Sequence, residues 1–212
     1  MYHDLTKGSI SRSLLLFALP MITGNLLQQL YNIADTLIVG RVLGSGALAA
    51  VGSAYTLMTF LTSIFLGLSM GAGALYSICL GQGDARRLRL GVLHGAVLIF
   101  AATLAVNLLV YLGLDGILWF LRVPEDVLSG MRAYLLVIFG GILATSIYNF
   151  CACLLRAVGN SVVPLVFLAV SAVGNIVLDL LFVAVLRWGI TGAAAATVIS
   201  QYASGIGIAI YV

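Results

Sequence analysis

Long apolar runs separated by short charged segments dominate the pattern of this sequence. Charged residues cut it into six long uncharged windows, which cover residues 13–34, 42–83, 90–114, 133–155, 157–178 and 188–212. A helix needs roughly 20 apolar residues to cross a bilayer. The pattern predicts an all-α membrane protein, a bundle of six transmembrane helices. These helices are expected near residues 14–40, 47–80, 91–112, 132–154, 163–185 and 192–212.

The second window, residues 42–83, is long enough to be ambiguous. As straight helix it would measure about 63 Å, which suits one tilted span or barely two. With one span, six of the ten Lys and Arg residues fall on the side of the N-terminus and four on the other side, whereas two spans give five against five. Cytoplasmic loops carry the excess of these residues. We therefore expect six spans with both ends in the cytoplasm.

The composition agrees with a membrane protein and excludes several other classes. Hydrophobic residues make up 62% of the chain and charged residues 8%, and the mean hydropathy is +1.18. An average soluble domain has about a quarter charged residues. The ten basic residues form no stripe of the kind that binds a phosphate backbone, so no nucleic-acid partner is expected. The expected surroundings are the lipid bilayer.

Two acidic residues, Asp35 and Asp179, lie inside predicted apolar helices. A carboxylate within the hydrocarbon region costs at least a few kcal/mol and generally faces a protein interior or a water-filled cavity, where it carries ions or protons. The alternative is a purely structural pairing with a membrane arginine. Arg41 and Arg187 are within reach only at the outer membrane edge, so the pattern favours a functional role for both acids.

Each acid belongs to a polar stripe along its helix. The stripes follow helical spacing: Asn25, Gln28, Asn32 and Asp35 with Tyr31 on the first helix, Ser171, Asn175 and Asp179 on the fifth, Thr197, Gln201 and Ser204 on the sixth, and Thr145, Asn149 and Cys153 on the fourth. Lipid offers such groups no hydrogen bonds, so the stripes should converge on a shared interior. Any single stripe would equally suit helix packing. Their coincidence with two acids predicts a hydrated cavity.

A faint repeat places the two acids at the same depth. Pro20 precedes Asp35 by 15 residues, and Pro164 precedes Asp179 by 15 residues. Both helices are expected to run outward, so each carboxylate lies about 22 Å beyond its proline. Repeats of this kind are common in transporters, although chance could also produce this one. Two carboxylates at one depth are expected to share one site.

Such a site has a recognisable chemistry. Two aspartates in a partly dry cavity repel each other, and one is expected to take up a proton in the cellular pH range. The carboxylates, the Asn175 amide oxygen and the Thr197 hydroxyl would equally replace the water shell of Na⁺. When empty, the anionic site would attract organic cations into a chamber with aromatic walls, such as Tyr31 and Tyr148. Exchange of a small cation for a larger one follows.

Several segments together resemble the multidrug and toxic compound extrusion (MATE) transporters. The opening DLTKGSISRSLLLFALPMITGNLLQQLYNIADTLIVGRVLGSGALAAVG is similar to the first two helices of that family. Further segments with this likeness are GQGDARRLRLG, LRAVGNSVVP, NIVLDLLF and GITGAAAATVIS. The likeness runs along the whole chain.

The resemblance implies roles for particular residues. Asp35, Asn175, Asp179 and Thr197 match the cation-coupling site of the family's N-terminal lobe, and they would be the metal ligands if Na⁺ is the ion. The substrate cavity is expected to include Gln28, Tyr31, Asn32, Asn149 and Ser171. Family members have twelve helices in two lobes, so residues 1–212 correspond to the N-terminal lobe alone. The last apolar run reaches Val212 without flanking polar residues, and the partner is expected to be a C-terminal lobe or a second copy.

The hypothesis from the sequence is an antiporter, not an enzyme, in the plasma membrane. It would export cationic organic compounds in exchange for H⁺ or Na⁺, with no other cofactor. A lipid-linked oligosaccharide flippase of the same superfamily and a non-transporting half-length remnant are the alternatives. An intramembrane enzyme is disfavoured, because His3 and His94 lie at no catalytic or metal-binding spacing.

Overall fold

The computed structural model describes residues 9–120 and 122–212, and His3, named above, lies outside this part. Six helical stretches in it are long and apolar enough to cross a membrane, as predicted. The helices are α1 (Ile10–Leu43), α2 (Ser45–Gly81), α3 (Ala85–Leu112), α4 (Leu114–Phe120), α5 (Glu125–Ile138), α6 (Ile142–Ala157), α7 (Val162–Asp179) and α8 (Ile190–Tyr211). The fold is an all-α bundle of a multi-pass membrane protein.

The ambiguous second window forms one helix. α2 runs without interruption for 37 residues, so it is a single long span. A tight connection through Gly44, which adopts a φ of 88°, turns the chain from α1 back into α2. The next turn ends at Asp84, whose carboxylate accepts a hydrogen bond of 2.9 Å from the backbone N–H of Arg87 and caps α3. These short connections make neighbouring spans antiparallel.

The fourth span is not the continuous helix expected near 132–154. It begins seven residues earlier, at Glu125, and a 3₁₀ turn at Phe139–Gly141 separates α5 from α6. Side chains from other helices donate hydrogen bonds to the backbone carbonyls of this turn. Asn107 Nδ2 donates to Phe139 O at 2.9 Å, and Tyr202 Oη donates to Gly140 O at 3.0 Å. The irregular backbone is thus satisfied inside the protein, as the bilayer requires.

The fifth span also changes its winding. α7 ends at Asp179 and continues as a π-helix over Leu180–Val185. A hydrogen bond of 2.8 Å from Leu186 N to Leu181 O shows the wide i→i+5 pattern. Such π segments frequently mark functional sites in helices. Here the change of winding begins immediately after one of the two intramembrane acids.

Buried side chains form two apolar clusters at opposite ends of the bundle. One cluster joins α2, α5 and α8 around Phe65, Met131 and Ala194. The other cluster joins α2, α3 and α6 around Tyr76 and Phe150. α8 packs closely on α6 through small residues, since a Cβ on Gly205 would lie 2.7 Å from the Ala144 carbonyl oxygen. The two clusters fix the positions of the helices that carry polar stripes.

Candidate functional site

A cavity of about 360 Å³ lies among α1, α2, α5, α6 and α8. Its apolar lining includes Val51, Met58, Leu66 and Ile138. Its polar lining consists of Gln28, Gln29, Tyr31, Asn32, Asp35 and Thr36 from α1, Tyr55, Thr59, Thr62 and Ser63 from α2, and Tyr134, Thr145, Thr197 and Gln201 from the other helices. The polar stripes of the first and sixth helices therefore meet at one chamber.

The structure brings the two intramembrane acids together. Asp35 lines the cavity with 9% of its surface exposed, and Asp179 lies behind it with 0% exposed. The two carboxyl groups are within hydrogen-bonding reach of each other. Asp35 Oδ1 and both oxygens of Asp179 have no hydrogen-bond donor among the described residues. Buried polar atoms are normally paired, so this cluster of acceptors is set up for a positive charge.

Asn175 and Thr197 extend the same cluster. Asn175, which is 2% exposed, lies on α7 one turn before Asp179. Its Nδ2 donates to Thr197 Oγ1 at 3.3 Å, while Thr197 Oγ1 donates to the Ala193 carbonyl at 3.1 Å. In this arrangement the Asn175 amide donates through its nitrogen. Its Oδ1 is a further buried oxygen without a donor in the described part of the chain.

Three of the five residues expected in the substrate cavity line it. Gln28, Tyr31 and Asn32 face the chamber from α1. On this wall, Asn32 Nδ2 donates a hydrogen bond of 3.3 Å to Tyr55 Oη on α2. The α1 wall is therefore an ordered polar and aromatic surface that leads to Asp35.

The other two expected residues, Asn149 and Ser171, lie away from the lining. Asn149 Nδ2 donates to the Thr145 carbonyl of its own helix at 2.9 Å. Ser171 Oγ donates to the Ser200 carbonyl at 2.8 Å and so joins α7 to α8. In this conformation Ser171 joins two helices, which is a common use of such residues in membranes, and Asn149 bonds within its own helix.

Sequence reasoning missed Tyr134 and the polar face of α2. Tyr134 is 6% exposed and lines the same cavity as Asp35. On α2, Tyr55, Thr59 and Thr62 follow the spacing 4, 3 that marks one helix face. That spacing was the available signal. It was hidden by the long apolar run around it, whereas a lone tyrosine such as Tyr134 gives no periodic signal.

Comparison with known proteins decides the family. The MatE family profile matches residues 20–181, about three quarters of the chain. The chain belongs to the MatE family. This confirms the resemblance on which the sequence analysis relied.

Two relatives in Bacillus subtilis (strain 168) are similar over almost the whole chain. The probable multidrug resistance protein YpnP is 34% identical over 199 residues, which cover 94% of this chain and 45% of that protein. The probable multidrug resistance protein YoeA is 33% identical over 213 residues, with coverage of 97% and 45%. The MatE chain described here thus spans about half the length of these relatives.

Solved structures show the same fold. An outward-facing multidrug resistance MATE family transporter of the MOP superfamily superimposes with a TM-score of 0.90 at 24% identity, covering 96% of this chain and 45% of that one. A MOP superfamily transporter from Pyrococcus furiosus, whose binding pocket is described as having reverse polarity, gives 0.91 at 24% identity, with coverage of 98% and 46%. The six-span bundle therefore has the architecture of about half of such a transporter.

Proposed function

We propose that this MatE chain is the N-terminal lobe of an antiporter that exports cationic organic compounds in exchange for H⁺ or Na⁺. The observation that carries the proposal is the group of buried oxygens without donors around Asp35 and Asp179, at the edge of an open cavity. A buried charge without a partner is strongly unfavourable. The site therefore favours whichever cation reaches it.

Either small cation suits these residues. A proton bound to one of the two carboxylates, Asp35 or Asp179, would make that group an O–H donor. It could then donate a hydrogen bond to the other carboxylate. Na⁺ prefers hard oxygen ligands, and the carboxylates, the Asn175 Oδ1 and the Thr197 hydroxyl supply four such groups within one region. Both cations neutralise the same negative charge, which is the requirement for coupling.

The walls of the cavity suit a larger, flat cation. Tyr31 and Tyr55 offer aromatic surface, and Met58 adds a polarizable thioether. The volume of about 360 Å³ lies at the lower end of the range for small-molecule sites. An organic cation that enters would compete with H⁺ or Na⁺ for the charge of Asp35. Occupancy by one would then promote release of the other, which is exchange.

The negative charge in the cavity lining also distinguishes the antiporter hypothesis from the flippase hypothesis. The charged side chain that lines the cavity in the described residues is that of Asp35. A pyrophosphate headgroup carries negative charge and would be repelled by it. The cavity therefore favours a cationic substrate over a lipid-linked oligosaccharide.

Loss of either acid is expected to abolish efflux. Asp35→Asn and Asp179→Asn keep the shape of each side chain but remove the charge for which the two cations compete. We expect cells that express either variant together with its partner lobe to retain a fluorescent cationic dye as vector-only cells do. Asp84→Asn changes a partly exposed acid outside the cavity, at a position where asparagine can still cap α3. This variant is the control and should keep normal efflux.

The same assay separates the coupling ions. In vesicles, dye transport driven by a proton gradient alone indicates H⁺, and transport that requires a sodium gradient indicates Na⁺. Normal dye efflux in both aspartate variants, at wild-type protein levels, would remove the proposed mechanism. Transport of a lipid-linked substrate in place of the dye would favour the flippase.

A further inference from the structure

A second cavity lies far from the aspartate pair, at the end of the bundle opposite Ser9. It has a volume of about 480 Å³, is open to the surface, and is bordered by α4, by Arg122 and Val123 and by the first residues of α5. Its base is apolar and includes Leu118, which is 2% exposed, and Leu128. Among the described side chains, four charged ones border it, namely Asp115, Arg122, Glu125 and Arg132. Two are positive and two negative.

Exposed aromatic residues show what adjoins this cavity. Trp119 lines it with 81% of its surface exposed, and the neighbouring Phe120 is 78% exposed. Both residues lie just beyond the end of α3 and before the fourth span, which is the level of the membrane interface. Tryptophan is enriched at this level, where its ring contacts lipid headgroups. The neighbour of the cavity is therefore the headgroup layer of that leaflet.

The backbone places an arginine where glycine is the usual residue. α4 ends with two hydrogen bonds, from Arg122 N to Trp119 O at 3.0 Å and from Val123 N to Leu118 O at 3.3 Å. This pair is the Schellman arrangement, in which glycine commonly takes the left-handed position. Arg122 takes it here with a φ of 50°. Its side chain is held at the cavity at the expense of backbone preference, and such strain often accompanies function.

The charges around the cavity complement a particular headgroup. Arg132 Nε donates to Asp115 Oδ1 at 2.9 Å, and a guanidinium has two further nitrogens that can bind a phosphate. Arg132 also holds the pKa of Asp115 below its usual range, so that carboxylate stays charged at physiological pH. Arg122 adds a second cation, and Glu125 adds a second carboxylate that can accept from an ammonium group.

We propose that this cavity binds the headgroup of a zwitterionic phospholipid with a primary amine, phosphatidylethanolamine, from the adjacent leaflet. The arginines bind its phosphate, and the carboxylates accept hydrogen bonds from its ammonium group. Phosphatidylcholine carries no N–H donor and satisfies only the first half of the site. Phosphatidylglycerol brings no positive charge to the two carboxylates. The proposal is independent of the transported substrate.

Trp119 itself provides the measurement. The chain contains two tryptophans, and Trp188 stacks on Phe182 at the end of the fifth span, so Trp188→Phe leaves Trp119 as this chain's reporter. The protein is placed in nanodiscs, and lipids with brominated acyl chains are added to quench its fluorescence. We expect brominated phosphatidylethanolamine to reach half-maximal quenching at about threefold lower mole fraction than the choline or glycerol lipid.

Two substitutions test the assignment of the charges. Arg122→Gly removes the guanidinium but suits the left-handed backbone, so the fold is preserved while the ethanolamine preference is lost. Glu125→Gln should bring the ethanolamine and choline lipids to equal quenching. Arg187→Gly is the matched control, because Arg187 is the other arginine with a positive φ, 54°, and lies outside this cavity. It should leave the preference unchanged.

Three results would overturn the proposal. Equal quenching by all three headgroups means that only unselective lipid surrounds Trp119. Stronger quenching by phosphatidylglycerol means that the arginines select an anionic lipid and the carboxylates have no part. Retention of the ethanolamine preference in Arg122→Gly, in protein that elutes as the wild type does, means that the preference arises elsewhere.

Discussion

Four buried oxygen atoms on Asp35, Asn175 and Asp179 have no hydrogen-bond donor among the described residues. A buried acceptor without a partner costs about 1–3 kcal/mol, and neighbouring carboxylates repel each other in addition. At the scale of single residues, the site is therefore unstable unless a cation is present. We propose that the same imbalance that weakens the empty lobe gives it affinity for a cation.

Replacing one acid by its amide should stabilise the empty protein. In Asp179→Asn, the new NH₂ group can donate to Asp35, which relieves the repulsion and pairs one acceptor. We expect a gain of about 1–3 kcal/mol, or about 2–4 °C in melting temperature for each kcal/mol. The measurement is thermal unfolding in detergent at pH 8 in potassium buffer without sodium.

Asp35→Asn should behave in the same way, and Asp84→Asn, which lies outside the cavity and can still cap α3, provides the control with no gain. If both buried variants melt below the wild type, the two carboxyl groups already have partners in the empty protein. The inference that the buried oxygens of this site lack hydrogen-bond donors would then be wrong.

The central residues of the site were predictable because their chemistry conflicts with their surroundings. An acid in an apolar helix is conspicuous without any structure, and helical spacing connects Asp179 to Asn175. Ser171 has the same spacing, yet its hydroxyl donates to the Ser200 carbonyl. A stripe on one helix states which face is polar, but the partner of that face depends on how helices pack. The place of Tyr134 in the wall of the cavity that holds Asp35 depends on packing alone.

At the scale of the element, a small residue, Gly205, positions α8. Gly205 is buried against the backbone of α6, whereas Gly67 on α2 has open space where a Cβ would lie. Small residues let two helices approach closely, and dispersion contacts and weak hydrogen bonds then hold them together. The close approach of α8 to α6 also sets the position of Thr197 in the cavity wall.

Gly205→Ala should separate α8 from α6. The added methyl group would lie 2.7 Å from the Ala144 carbonyl oxygen, and overpacking of this kind typically costs about 1–3 kcal/mol. We expect a melting temperature several degrees lower by fluorescence-detected size exclusion. Gly67→Ala is the matched control and should not lower it. An unchanged melting temperature for Gly205→Ala would show that the two helices are not tightly packed at this point.

Irregular elements were harder to predict than regular ones. The apolar windows predicted the number of spans, because a helix of fixed rise must cross a bilayer of fixed thickness. The 3₁₀ turn at Phe139–Gly141 depends on Asn107 and Tyr202, which are distant in sequence. α4 has seven residues, which is too short for a recognisable apolar run in the sequence. It buries the side chains of Leu114 and Leu118. Such features arise from tertiary contacts that periodicity does not contain.

At the scale of the whole molecule, charge is distributed unevenly between the two ends of the bundle. Exposed Arg86, Arg87 and Arg89 follow the turn between α2 and α3, on the same side as the start of α1. The opposite end carries the aromatic residues of α4. By the distribution of Lys and Arg, we propose that the start of α1 faces the cytoplasm of the cell.

Accessible cysteines would test this orientation. Cys79, Cys151 and Cys153 are buried, so an introduced cysteine should dominate labelling by a thiol reagent. We expect a membrane-impermeant maleimide to label Gly116→Cys in intact cells and Gln82→Cys only after the membrane is opened. The reverse pattern would place the start of α1 outside and would invert the proposed direction of transport.

One lobe leaves much of its apolar surface uncovered. α1 exposes leucines along its length, among them Leu19, Leu26 and Leu30, although its polar face lines the cavity. Lipid can cover the apolar part, but lipid cannot close a cavity with a carboxylate. We therefore propose that a second lobe, or a second copy, faces the open side of the chamber.

The π-helix at Leu180–Val185 has a consequence for how the family can vary. A wide turn holds more residues than an α-helical turn, so the loss of one residue there would restore regular winding. Such a deletion lies after Asp179 and would leave the preceding helix, with its carboxylate, in register. Evolution can thus adjust the length of the fifth span to a thinner or thicker bilayer at this point. An alignment gap of one residue just beyond the acid would record that adjustment.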